Sequence, residues 1–213
     1  MRVGILGSGD VGKALARAFV SRGHMVTIAS REPQKLADFV REHPDKLRAA
    51  TFEETARAGE LLVLVTAFSV AKEAIDLAGA ANFSGKVVID VTNPLAYEQG
   101  KPLGLSVSGN DSAGESVQRW LPEANVVKSF NTVGHAHFVD PKFPNGPPTM
   151  FVAGNDDKAK NTVEQIAESF GWSVVDAGTI EASRYLEAMA MLWISYTMRT
   201  GNAQHAFKWL HKA

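Results

Sequence analysis

Short runs that are apolar at every position alternate, from Arg2 to about Phe130, with stretches in which Ala, Leu and charged residues recur at helical spacing. Arg2–Leu6, Met25–Ala29, Leu61–Thr66, Val87–Val91 and Val126–Phe130 lack the alternation of a one-sided sheet, so they predict strands buried on both faces. Val11–Arg22, Pro33–Glu42, Glu53–Ala58, Ser69–Ala78 and Ala113–Trp120 lie between them and predict the covering helices. Such an alternation requires right-handed crossovers. The expected fold class is therefore α/β, a Rossmann-type, doubly wound, mostly parallel sheet. Further on, Thr149–Ala153 and Trp172–Asp176 read as two more strands around an amphipathic helix near Asp156–Phe170. A long helical stretch follows from about Ile180 to Leu210, with Gly201 as a break point, and the Pro- and Gly-rich segment Pro141–Pro148 is the main irregular loop. The expected division is a Rossmann domain over residues 1–135 and, over 136–213, C-terminal strands and a small helical part that complete the same compact unit.

The first strand ends in glycines spaced as Gly7-x-Gly9-x-x-Gly12. In that context Gly7 makes the tight turn, Gly9 lets backbone approach a pyrophosphate, and Gly12 lets the helix pack close to the sheet. The helix N-terminus adds free N–H groups and a favourable dipole. The pattern predicts a bound dinucleotide. Its identity turns on the end of the second strand, where an acid usually accepts bonds from the ribose 2′-hydroxyl. Here the chain reads "TIASREPQK", with Ser30 and Arg31 at that corner and Lys35 a turn further on. A hydroxyl, a guanidinium and an ammonium suit a 2′-phosphate, which favours NADP(H). Glu32 reads as a first-turn acid of the helix that Pro33 helps to start.

Composition narrows the rest. The chain has 213 residues, 45% of them hydrophobic, enough for one large domain or one with a small appendage. With 22 basic against 23 acidic residues there is no electrostatic footprint for nucleic acid or a membrane, so a small-molecule redox acceptor is the expected partner. The absence of cysteine excludes disulfides, thiolate nucleophiles and cysteine-ligated metals. With no apolar stretch long enough to span a bilayer and no leader-like segment before the first strand, the expected location is the cytoplasm.

The blocks "GILGSGDVG", "ASREPQK", "DVTNPL", "VVKSFNTV" and "DAGTIEASRYLEAMAMLW" occur in this order over essentially the whole chain. Together they resemble the NADP oxidoreductases that use the deazaflavin coenzyme F420, and the related cytosolic domain of six-transmembrane metalloreductases. The resemblance implies an NADP-binding Rossmann domain, a small C-terminal part that closes over the cofactor, and direct hydride transfer between the nicotinamide and a stacked flavin-like ring. By position it implies that Ser8, Gly9, Asp10 and Val11 meet the pyrophosphate, and that Ser30, Arg31 and Lys35 hold the 2′-phosphate. It further implies that Thr66, Ala67 and Phe68 lie along the ribose and nicotinamide, and that Asn131 and Thr132 fix the nicotinamide end.

Read from the residues themselves, Thr66-Ala67-Phe68, Thr92-Asn93-Pro94 and Asn131-Thr132 are all carboxyl ends of strands, where ligands of open α/β sheets lie. They are neutral, which suits hydride transfer between stacked rings, because the rings carry the reactive atoms. Asn93 before Pro94 is also a natural turn residue. His135 and His137, in "VGHAHF", alternate on a segment read as extended, which puts both rings on one face and makes them candidates to line the acceptor site; loop histidines are the plainer alternative. No third ligand accompanies them, so no metal is expected. No helical Lys joins Asp176, Glu181 and Glu187 in the pattern of alcohol oxidation. The acceptor is expected to be coenzyme F420, FMN or FAD, and the alternative to an enzyme is an NADP(H)-binding sensor without turnover. Finally, the stretch from Tyr185 to Leu210 is apolar over much of its circumference, which predicts a homodimer burying Met189 and Trp193.

Overall fold

The computed structural model describes residues 1–212. In chain order the elements are β1 (Arg2–Leu6), α1 (Asp10–Ser21), β2 (Met25–Ala29), α2 (Ala37–Val40), β3 (Leu47–Ala50), α3 (Phe52–Ala58), β4 (Leu61–Leu64), α4 (Ala71–Ala78) and β5 (Val87–Asp90). There follow β6 (Leu95–Glu98), β7 (Lys101–Leu105), α5 (Ala113–Trp120), β8 (Asn125–Lys128), β9 (Thr149–Gly154), α6 (Asp157–Ser169), β10 (Ser173–Asp176) and α7 (Ser183–Thr200).

Eight strands form one sheet in the order β10-β9-β8-β5-β4-β1-β2-β3. Every neighbouring pair is parallel except β8 with β9, so the sheet is doubly wound and mostly parallel as the pattern predicts. From β1 the chain first builds outward through β2 and β3, then returns to the other side with β4; the crevice at this reversal lies outside the carboxyl ends of β1 and β4. The apolar runs are buried on both faces for the expected reason. Along β4, Leu61 and Val63 join the core that includes Phe19, Ile28 and Phe170, while Leu62 and Leu64 join the opposite core with Ile75, Phe83 and Val117.

Three expectations change. The helix expected over Pro33–Glu42 is a 3-10 turn, Pro33–Leu36, followed by the single turn of α2. β3 and the β6–β7 hairpin were not expected at all. α7 stops at Thr200, at the expected break, where Gly201 adopts a left-handed backbone (φ 68°), but no helix resumes over residues 202–212. Beyond it the chain turns back across α7 toward β9: the Thr149 N–H donates to the Phe207 carbonyl (2.9 Å) and the Trp209 N–H to Thr149 Oγ1 (3.0 Å). This segment covers Trp193, whose indole N–H donates to the His205 carbonyl (2.9 Å) and whose ring stacks on His205. Met189 packs against the small cluster of Phe151, Ala153 and Leu186. The two side chains expected at a dimer contact are thus covered largely within the chain.

Candidate functional site

Each glycine of the fingerprint has its own steric reason. Gly7 holds φ +138°, and a Cβ there would lie 2.7 Å from the Val65 carbonyl oxygen. A Cβ on Gly12 would fall inside contact distance of the Gly7 carbonyl oxygen, so α1 approaches the turn only because that atom is missing. Gly9 is different: nothing lies within 4 Å of where its Cβ would be, which leaves an open cradle in front of the helix. Gly9 is also the N-cap of α1 and offers no side chain, so the first-turn N–H groups face that cradle uncapped.

Two depressions continue from the cradle and share Thr66. One, of about 270 Å³, is lined by Gly7, Ser8, Ser30, Arg31, Glu32, Phe52, Thr66 and the α4 residues Glu73, Ala74 and Leu77. The other, of about 340 Å³, runs past Gly9, Asp10, Val11, Thr66, Ala67, Phe68, Val91, Thr92 and Asn93 to Leu95 and Tyr97 of the hairpin. Together they trace a cleft across the carboxyl ends of β2, β1, β4 and β5. A depression of similar size, about 280 Å³, lies at the other end of the strands, lined by Arg2, Met25, Lys46 and Leu47 among others, away from the glycine turn.

The predicted residues divide between cleft and support. Ser30 and Arg31 reach the first depression; Ser30 Oγ accepts from the Glu32 N–H (3.1 Å) and Arg31 is exposed. Lys35 is not among the lining residues, but its ammonium lies 2.6 Å from Glu32, which itself lines the cleft from the position before the 3-10 turn. Phe68 lines the second depression with its ring stacked on Trp120 (5.7 Å between centroids, 16° between planes). Asn93 faces the cleft, whereas Asn131 is buried behind it: its amide donates to Asn93 Oδ1 (3.0 Å) and to the Leu186 carbonyl (3.1 Å), tying two strand ends to α7. Pro94 and Thr132 are buried beside this pair. Thr66 and Thr92 line the second depression, and their hydroxyls are buried with no partner among the described residues, an unmet bonding capacity beside the cleft.

His135 and His137 do not share a face. They lie on one 3-10 turn, Gly134 being its N-cap, where residues two apart point about 120° apart. His135 borders a shallow depression on the flank of α1 with Ala14, Arg17, Ala18 and Ser21, and His137 packs beside Phe143 with its Nε2 buried. Neither lines the cleft. Among the described residues no three His, Asp or Glu side chains converge to hold a metal ion.

Behind the cleft wall sits a charged cluster that reading the sequence missed. Asp90 and Lys128 are register partners on β5 and β8, both fully buried, with Lys128 Nζ 2.6 Å from Asp90 and 2.9 Å from Glu187 of α7. The ammonium also donates to the Thr92 carbonyl (2.8 Å), and Asp90 Oδ1 accepts from the Thr92 N–H (2.9 Å). Glu187 further accepts the N–H groups of Ala113 and Gly114, the first turn of α5 (3.0 Å each). Burial pushes its carboxyl above the usual range, against the pull of Lys128. The available signal was one charge in each of two otherwise apolar strands, "VVID" and "NVVK". A lysine therefore does meet Glu187, and Lys160 of α6 meets Asp176 (2.7 Å), but both pairs are closed ion pairs outside the cleft lining.

Comparison with known proteins agrees with this geometry. Residues 2–94 match the family model described as NADP oxidoreductase coenzyme F420-dependent. The chain is 29% identical to the F420-dependent NADP reductase of Methanocaldococcus jannaschii over 93% of both chains. It is 28% identical to the metalloreductase STEAP3 of Rattus norvegicus over 89% of this chain, but spans only 36% of that protein's length. The crystal structure of a candidate F420-dependent NADP-reductase from Arthrobacter sp. FB24 superposes with a TM-score of 0.93 and 36% identity, covering 99% of this chain and 100% of that one. Glycine cradle, cleft and whole-chain similarity together place this chain in the F420-dependent NADP oxidoreductase family.

Proposed function

We propose that the protein is an NADPH-dependent oxidoreductase that passes hydride directly between the nicotinamide of NADP(H) and a stacked deazaflavin (coenzyme F420) or flavin-type ring, FMN or FAD. The observation that carries this reading is the cleft with an anion cradle at its middle, the Arg31 guanidinium beside Glu32 and Glu73 at one end and, past Asp10, neutral walls at the other. The open space at Gly9 and the uncapped N-terminus of α1 receive the pyrophosphate. Arg31 and Ser30 take the 2′-phosphate, and Lys35 joins them by exchanging its bond to Glu32. At the other end Thr66, Thr92 and Asn93 orient the nicotinamide, with Asn131 holding Asn93 in place. The two cofactors supply the redox chemistry; the chain positions their rings and excludes water. Phe68, Leu95 and Tyr97 give the acceptor an apolar wall of the kind a planar ring requires.

The test is to mix the purified protein with NADPH and, in turn, coenzyme F420, FMN, FAD and riboflavin, following NADPH oxidation. Turnover with one of them is expected. Tight NADPH binding with no oxidation by any would instead favour a sensor of NADP(H).

A further inference from the structure

We infer that the buried Asp90–Lys128–Glu187 cluster acts on the nicotinamide end of the cleft as a fixed surplus of negative charge that favours the oxidised, positively charged ring. The inference rests on the cofactor reading above. Two carboxylates surround one ammonium: Asp90 accepts from the Thr92 N–H and pairs with Lys128, and Glu187 pairs with Lys128 and accepts from two backbone N–H groups. By formal charge two carboxylates against one ammonium leave a surplus of −1, in a place screened little by solvent, all three side chains being at most 1% exposed. It is also close. Lys128 and Asp90 grip the carbonyl and the N–H of Thr92, a residue that lines the depression assigned above to the nicotinamide. The nicotinamide ring bears a positive charge in NADP⁺ and none in NADPH, so a negative field behind Thr92 stabilises one state and leaves the other nearly untouched. The same anchorage that sets the wall thus sets a direction, toward giving up hydride.

The experiment compares the affinities of NADP⁺, NADPH and 2′,5′-ADP, which lacks the nicotinamide, for the unchanged protein and for Glu187→Gln and Glu187→Asp at pH 8. Glu187→Gln is expected to weaken NADP⁺ about fivefold relative to NADPH and to leave 2′,5′-ADP unchanged. Glu187→Asp keeps the charge and is expected to restore the ratio, even where its melting temperature is lower. Should Glu187→Gln not fold, Asp90→Asn removes the other half of the surplus and is expected to move the ratio the same way. An NADP⁺/NADPH ratio that stays constant across these variants, or falls equally in Glu187→Asp, overturns the inference while leaving the cofactor reading intact. If the unchanged protein binds neither 2′,5′-ADP nor NADP⁺, the cofactor reading fails and the inference with it.

Discussion

At Gly12 a single methyl group has nowhere to go, because the Gly7 carbonyl already occupies the space. Gly12→Ala is expected to push α1 off the turn, destabilise the fold by roughly 1–3 kcal/mol and abolish NADPH binding, as thermal melts and titration would show. Arg31 supports a second prediction. Arg31→Ala should weaken NADPH by about 1.5–3 kcal/mol and NADH hardly at all, since the lost bonds go to a phosphate that NADH lacks; equal losses measured by titration would make Arg31 a structural residue. The placement of these residues was legible in the sequence because it is local: a turn, a cradle and a strand end within the first part of the chain. Asn131 was not. Its amide is spent on Asn93 and on Leu186, 38 and 55 residues away, so no reading of "SFNTV" could tell a nicotinamide contact from a brace. The histidine pair failed for a nearer reason: a 3-10 turn replaced the extended backbone on which their common face depended.

Among the elements, those with strong apolar patterns came out at nearly the expected positions, and those without did not. β3 is Leu-Arg-Ala-Ala, with only Leu47 fully buried and no β-branched residue, so nothing in its composition announces a strand. The hairpin is half exposed and turns through Gln99 and Gly100, both at positive φ, a turn whose first residue is not among the usual signals. α7 is fastened at two points to α5: at Glu187, and at Glu115, which accepts two bonds from Arg184 and one from Ser112. Arg184 holds the Glu115 carboxyl below the usual carboxylate range. A carboxyl whose folded pKa lies below its unfolded value stabilises fully above the unfolded value and loses that contribution as pH falls through the folded one. The melting temperature of the protein is therefore expected to drop more steeply below about pH 4.5 than that of Glu115→Gln, which has already lost the pair. Parallel curves for the two would show that the pair does not fasten α7.

For the whole molecule, one row of exposed apolar side chains runs along α7, where Tyr185, Leu192 and Tyr196 are 72%, 60% and 42% exposed and follow one side of the helix. We propose that a second copy of the chain covers this side across a two-fold axis, in place of the contact through Met189 and Trp193 that the sequence suggested. Leu192→Arg should then yield a monomer by light scattering where the unchanged protein gives a dimer; a monomer from both would remove the dimer.

The two outer strands of the sheet bear on the same question from another side. β3 and β10 are four residues each, and each carries charge, Arg48 on the first and Asp176, paired with Lys160, on the second. Short charged margins offer a poor template for another strand. At high concentration, then, aggregation by edge-to-edge growth of the sheet is discouraged at both margins, and the helical faces are left as the surfaces through which copies can meet.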